Sequence, residues 1–205
     1  YGESFESSLD AVLEAAHRLD YEEALKRHTV EHSGWMSRCG LRLPENGASG
    51  LPTDLRIAKY REDPTDHALT ALFFQYGRYL LLNSSRPDSL LPAALQGVWN
   101  DDRACRMEWT DDMHLDINTQ MNYYPAETTG LSECAQPLFR WLKHKLMPSG
   151  RRTARELYGA EGWVAHTISN AHGYSAPGWG SWGFFASGGA WAALHIWEHY
   201  EYTLD

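Results

Sequence analysis

The sequence has few cysteines for its length: three among 205 residues, at positions 39, 105 and 134. None of them belongs to a C-x-x-C pair. At most one disulfide bond can therefore form, and three unlinked thiols are the alternative interpretation of the same pattern. A small scaffold held together by several disulfides is excluded.

Long apolar runs and positive charge are also scarce. The most apolar stretch, residues 68–82, is interrupted by Gln75 and Arg78, so no segment reaches membrane-spanning length. With 18 Lys and Arg against 27 Asp and Glu, the net charge is −9. Because phosphate binding needs clustered basic side chains, we expect neither a nucleic-acid nor a membrane partner. No signal peptide is visible, but the chain begins with Tyr1, so the sequence does not define the compartment.

Strand patterns are rare, whereas apolar residues recur repeatedly at the three- and four-residue steps of an amphipathic helix. Pro137 either kinks one of these helices or marks its start. Long Gly- and Pro-containing loops separate them, and helices that alternate with such loops predict an all-α fold. The predicted helices are 5–38, 68–82, 131–145, 150–158 and 188–202.

One short segment departs from helical periodicity. Polar and apolar residues alternate from 114 to 118, and a period of two predicts an extended segment with His114, Asp116 and Asn118 on one face. An imidazole, a carboxylate and a carboxamide are costly to bury together unless they meet a polar ligand or each other. We therefore predict a polar site here, with a short buried strand or loop as the alternative.

Side-chain amides and aromatic rings surround this segment, in a chain with nine Trp and eleven Tyr. Amides donate and accept hydrogen bonds, and flat rings pack against C–H faces, so together they suit a sugar. We therefore predict an oligosaccharide or glycan as the ligand. Each side chain could instead connect loops or pack in the core. The candidates are Gln96, Trp99, Asn100, Gln120 and Asn122.

Several long motifs follow one another along the chain. They are SSRP at 84–87, LPAALQGVWN at 91–100, HLDINTQMNYYPAE at 114–127, GWVAH at 162–166, GGAW at 188–191 and HIWEHY at 195–200. In this order the motifs resemble glycoside hydrolase family 95, the inverting 1,2-α-L-fucosidases.

The resemblance implies an (α/α)6 barrel of the six-hairpin glycosidase type, of which 205 residues supply only part. It divides the chain into a helical linker, residues 1–45, and the N-terminal part of the catalytic barrel, residues 46–205. It also implies that a β-sandwich and C-terminal segments of a parent chain are missing. A secreted or periplasmic location is favoured, and neither a cofactor nor a metal is implied.

An inverting glycosidase needs two carboxyl groups, one to protonate the leaving oxygen and one to activate water. In the family the acid lies in a Ser-Pro-Glu motif and the base is an Asp further on. Residues 1–205 contain no Ser-Pro-Glu, so we expect both groups outside this chain and residues 1–205 alone to be inactive.

The family also orients the attacking water with an Asn-x-Asn pair. This chain keeps the second as Asn118 and has Asp116 in place of the first. Because neighbouring carboxylates raise one another's pKa, we hypothesise that Asp116 takes part of the base role or shifts specificity. The alternative for Asp116 is a hydrogen-bonded loop residue.

Sugar contacts are implied for His114 and His166. The chain departs from the family after His166, and Tyr124 stands where Trp is common. The resemblance implies fucose as the sugar, and these departures make a related α-L-galactosyl residue a second possibility.

Two rival functions follow from other features. Residues 195–199 fit H-x-x-E-H, in which His195 and His199 share a helix face that could hold Zn²⁺ with Glu198 as base. The family carries the same run without zinc chemistry, and neighbouring Trp191, Trp197 and Tyr200 predict a packed aromatic helix. The other rival is a non-catalytic carbohydrate-binding fragment, since the acid and base lie elsewhere.

Overall fold

The computed structural model describes residues 5–99 and 111–205. Tyr1–Arg38 and Cys39–Asp205 form two compact units. The first contains helices α1, Phe5–His17, and α2, Tyr21–Met36. The predicted helical region is thus broken once, at the point where the Asp20 side chain accepts a hydrogen bond from the Glu23 N–H at 3.1 Å and caps α2.

The second unit begins with helices α3, Thr53–Tyr60, and α4, His67–Ser84. Asp66 caps α4, accepting from the Leu69 N–H at 3.2 Å. Its carboxylate also accepts two hydrogen bonds from the Arg56 guanidinium, at 2.8 and 2.9 Å. These bonds lower the pKa of Asp66 and join α3 to the start of α4.

Residues 118–158 are almost continuously helical. The elements are α5, Asn118–Tyr123; α6, Pro125–Thr128; a 3₁₀ turn, Ser132–Ala135; α7, Gln136–Trp141; a π turn, Leu142–Leu146; and α8, Met147–Tyr158. Pro137 lies in the first turn of α7 and so starts the helix, where its missing N–H costs nothing. The helix predicted at 150–158 continues from α7 and ends at Gly159, which has a left-handed φ of 59°.

The prediction that residues 114–118 form an extended segment is wrong for all of them except His114, which lies in a strand. Strand β1, Met113–His114, pairs antiparallel with β2, Ile168–Ser169, in a two-stranded sheet. The partner strand offers only two residues, and Asn118 already begins α5. His114, Asp116 and Asn118 therefore do not share one face of a strand.

Helix α9, Gly188–Thr203, buries the face opposite to the one that the sequence predicted to be buried. Gly188, Gly189, Ala192, His195 and His199 are buried, whereas Trp197 and Tyr200 are 58% and 47% exposed. Small residues permit close packing: a Cβ at Gly189 would lie 2.5 Å from the Trp163 ring. The prediction of a packed aromatic face was therefore wrong.

The second unit is predominantly helical, with a single two-stranded sheet among the described residues, which confirms the all-α class. In the described ranges, no helix combines the length and the apolar character needed to cross a membrane.

Candidate active site

The first component of the candidate site is a pair formed by His114 and Asp112. The Nδ1 atom of His114 lies 3.2 Å from both carboxylate oxygens of Asp112, and the two side chains are only 12% and 11% exposed. A carboxylate can only accept, so Nδ1 carries the proton. In the neutral ring, Nε2 is then the accepting nitrogen.

The second component is a turn at residues 115–117, which contains Asp116 and is followed directly by Asn118. Leu115 fixes this turn: its N–H donates to the Thr167 carbonyl at 2.7 Å, and its carbonyl accepts from Gln120 Nε2 at 2.8 Å. Ile117 has φ 145° and ψ −21°. A positive φ is a genuine outlier for a β-branched residue, and such strain is concentrated at functional sites. Asp116 and Asn118 are both partly exposed beside it.

Two of the predicted sugar-binding amides instead connect backbone segments. Gln120 is fully buried and donates to Leu115, as described above. Asn122 donates through Nδ2 to the Ala94 carbonyl at 3.0 Å, which holds the 93–99 loop against α5. The structure therefore assigns these amides to support of the loops rather than to the open surface of a site.

A hydrogen-bonded chain centred on Tyr123 anchors the same loop. The Ala93 N–H donates to Tyr123 Oη at 2.8 Å, and Tyr123 Oη lies 2.7 Å from Ser85 Oγ, which donates to the Cys134 carbonyl at 2.8 Å. Because the Ser85 proton is used, the Tyr123 hydroxyl must donate to Ser85. Burial raises the pKa of Tyr123, so this hydroxyl stays protonated.

Replacing Tyr123 with phenylalanine should destabilise the second unit by about 1–3 kcal/mol, because the buried Ala93 N–H loses its acceptor. Urea unfolding of the two proteins measures this difference. The matched control is Tyr174→Phe, since Tyr174 is 44% exposed and its hydroxyl donates to the Pro177 carbonyl. Equal losses for the two variants would contradict the role assigned to the Tyr123 hydroxyl.

Gln96 and Trp99 lie on the 93–99 loop, which the hydrogen bonds of Tyr123 anchor. The Gln96 N–H donates to Asp111 Oδ1 at 2.9 Å. Gly97 has φ 77°, and a Cβ there would lie 2.5 Å from the Trp99 ring, so only glycine permits this packing. Trp99 is 42% exposed and lines a cavity of about 500 Å³ with Tyr76, Tyr79 and Leu80. Asn100 lies outside the described residues.

His166 is completely buried, and both of its ring nitrogens are engaged within the protein. Nδ1 lies 2.7 Å from the Ser175 carbonyl and must donate, so in the neutral ring Nε2 accepts from the Tyr158 hydroxyl at 2.7 Å. This geometry leaves no ring nitrogen for a sugar hydroxyl. In this structure His166 supports the loop, in contrast to the predicted sugar contact.

The H-x-x-E-H residues form contacts that sequence reasoning missed. His199 Nδ1 lies 2.7 Å from Glu127 Oε1, whereas the His195 ring packs against Tyr124 with centroids 5.5 Å apart. Burial lowers the pKa of His195, and Glu127 partly opposes this effect. In residues 5–99 and 111–205, no group of three or more His, Cys, Asp or Glu is arranged to hold a metal ion. Glu127 could have been found from the sequence as the acidic end of the 114–127 motif.

An imidazole–carboxylate pair and a strained turn that contains Asp116 and precedes Asn118, on an all-α unit, define a candidate glycoside hydrolase site. Comparison with known proteins agrees. The model of the glycosyl hydrolase family 95 catalytic domain matches residues 20–205. The chain belongs to this family.

Three curated relatives carry fucosidase names. The chain is 37% identical over 213 residues to alpha-L-fucosidase 2 of Arabidopsis thaliana, an alignment that covers 98% of this chain and 25% of the relative. It is 36% identical over 193 residues to a probable alpha-fucosidase A of Aspergillus niger, covering 93% and 24% respectively. A probable alpha-fucosidase A of Aspergillus oryzae is 40% identical over 151 residues, covering 72% and 20%. The chain thus spans a quarter or less of the length of these relatives.

Proposed function

We propose that this chain supplies part of the active site of an α-L-fucosidase, which removes α-L-fucosyl or related α-L-galactosyl residues from glycans. The observation that carries the proposal is the strained Ile117 between Asp116 and Asn118, which lies inside the segment matched by the family model. The names of the three relatives support fucose as the sugar. A net charge of −9 is compatible with a neutral glycan.

The proposed reaction is inverting hydrolysis of a 1,2-linked sugar. Water attacks the anomeric carbon from the face opposite the leaving oxygen. The Asn118 side-chain carbonyl accepts a hydrogen bond from this water and orients it, and Asp116 assists as a second acceptor. Neutral His114, held by Asp112, contacts a sugar hydroxyl through Nε2.

Other groups complete the proposed site. Gln96 contributes an amide, and Trp99 offers a ring face to the sugar. The general acid and base come from residues outside 1–205. We also propose that residues 1–45 are a helical linker and that 46–205 form the N-terminal part of an (α/α)6 barrel.

Changing Asp116 to asparagine should move the acidic limb of the kcat profile to lower pH by about one unit. A neighbouring carboxylate raises the pKa of the catalytic base, and the amide removes this effect. The assay uses a longer protein that contains residues 1–205 and is comparable in length to the relatives. Its substrates are α-1,2-fucosylated oligosaccharides and an α-L-galactoside. An unchanged profile would exclude a role for Asp116 in the base.

Two comparisons complete this experiment. Asp88→Asn makes the same chemical change at an exposed position and should leave the profile unchanged. Asn118→Ala should lower kcat about a hundredfold, because the water loses its orientation. Glycan binding without hydrolysis by the unmodified protein would replace the proposal with the non-catalytic carbohydrate-binding function.

A further inference from the structure

The H-x-x-E-H segment of α9 is not used by the proposed reaction, yet its two histidines are buried. His195 is 5% exposed and His199 is 9% exposed. His199 packs edge-on against Phe139 with centroids 5.1 Å apart and directs Nδ1 toward Glu127 on α6. The Glu127 side chain is itself only 4% exposed, so a carboxylate and an imidazole meet away from water.

Ser132 completes the contact between these groups. Its hydroxyl donates to Glu127 Oε2 at 2.6 Å, while His199 Nδ1 donates to Glu127 Oε1 at 2.7 Å. Each carboxylate oxygen thus accepts one short hydrogen bond, as expected of an ionised Glu. Ser132 Oγ also lies 3.2 Å from the same Nδ1. Because serine and glutamate contact one nitrogen, the trio cannot relay a proton across the ring as a nucleophilic triad does.

This trio is connected to the candidate site through two consecutive helices. Helix α6 follows α5 with only Tyr124 between them, so Glu127 fixes the end of the segment that begins at Asn118. One turn earlier on α9, His195 contacts both Tyr123, at 6.3 Å between centroids, and Tyr124, at 5.5 Å. Helix α9 therefore meets α5 and α6 through two histidines on one face.

We propose that Glu127, Ser132 and His199 form a clamp, and that Glu127 and His199 are positioning residues for Asn118. The clamp joins α6 to α9 and thereby fixes the segment that holds the water-orienting amide. This inference rests on the proposed function for its catalytic consequence. The contact itself is testable without any enzyme assay.

The first test is a double-mutant cycle on the thermal unfolding of the chain. Glu127→Gln and His199→Gln should each lower Tm by about 5 °C, because each leaves its buried partner without a charge-assisted hydrogen bond. The double variant should fall hardly further than either single variant, since the interaction is already lost. Additive shifts would overturn the clamp. If one glutamine variant does not fold, Ser132→Ala, which removes only the serine hydroxyl from the trio, is combined with the other glutamine variant in a second cycle that tests their coupling.

The second test asks whether the clamp positions Asn118. In Glu127→Gln, the side-chain amide signal of Asn118 should shift in ¹H–¹⁵N NMR spectra, whereas Glu201→Gln, an exposed change on α9, should leave it unchanged. In a polypeptide of the relatives' length, kcat should fall about tenfold with KM unchanged. An unmoved signal with unchanged kcat would reject the positioning role. If the unmodified protein does not cleave fucosyl substrates, the proposed function fails, and the cycle and the NMR shifts still decide the clamp.

Zinc provides the third test. Adding Zn²⁺ to the purified chain should leave Tm unchanged, because in the described part of the chain no three His, Cys, Asp or Glu side chains are arranged to hold a metal ion. A rise in Tm that both His195→Ala and His199→Ala abolish would overturn the clamp in favour of a metal site.

Discussion

Replacing Gly173 with alanine is expected to lower the free energy of unfolding by about 2–5 kcal/mol, from two separate costs. Gly173 has φ 78°, a left-handed conformation that costs an alanine about 1–2 kcal/mol. The new Cβ would also lie 2.4 Å from the Lys145 carbonyl carbon and 2.5 Å from its oxygen. These are backbone atoms of the π turn, so neither side of the contact can move away cheaply.

The consequence should reach the candidate site. Gly173 belongs to a loop whose Asn170 carbonyl accepts from Trp141 Nε1 at 3.1 Å and whose Ser175 carbonyl accepts from His166. The same loop follows β2, which pairs with His114. We therefore expect the amide protons of β1 and β2 to exchange with solvent faster in the variant.

The matched control is Gly159→Ala. Gly159 has a similar φ of 59°, but a Cβ there would meet nothing within 4 Å. This variant should lose only about 1–2 kcal/mol, the conformational cost alone. Urea unfolding of both variants separates the two costs. Equal losses would show that contact with the π turn contributes nothing.

Helices with clear capping and periodicity were predictable from the sequence. The helix predicted at 68–82 corresponds to α4, His67–Ser84, and the end predicted at 158 is the last residue of α8. The π turn at Leu142–Leu146 was not predictable, because it differs from an α-helix in hydrogen bonding rather than in residue type. In a strand of only two residues, alternation of polar and apolar side chains does not distinguish the strand from the start of a helix. This explains the error at 114–118.

The motif located the candidate segment, but the roles of its side chains depended on packing. Gln120 and His166 belong to types that could bind a sugar, and only the fold shows that they are buried and hydrogen-bonded within the protein. For α9, the small residues Gly188, Gly189 and Ala192 were a signal for the buried face. Large aromatic residues on the other face outweighed it in the prediction.

Replacing Arg78 with methionine should destabilise the second unit by about 3–5 kcal/mol. Arg78 is 1% exposed, so its guanidinium is held by protein atoms rather than by solvent. Its Nε donates to the Thr129 carbonyl at 3.1 Å, and its Nη1 donates to the Cys39 carbonyl at 2.7 Å and to Gln75 Oε1 at 2.9 Å. Methionine fills part of the volume but leaves the buried Thr129 carbonyl and the two partly buried oxygens without this donor.

Arg78 is connected to the candidate site through Thr129. Thr129 follows α6, whose Glu127 we infer to clamp α9, so Arg78 holds the C-terminal end of the same helix. A positive charge at the C-terminal carbonyls of α6 also complements the helix dipole. Loss of Arg78 should therefore speed amide exchange in α6 as well as lower the denaturation midpoint.

Arg140→Met is the control, because Arg140 also donates to two main-chain carbonyls, those of Pro87 and Ser89, but from an exposed position. Water can replace an exposed donor, so this variant should lose less than about 1 kcal/mol. Arg78→Lys should fall between the two, since an ammonium keeps the charge but lacks the planar group that reaches both carbonyls. If Arg78→Met and Arg140→Met unfold at the same denaturant concentration, burial is not what makes the Arg78 contacts strong.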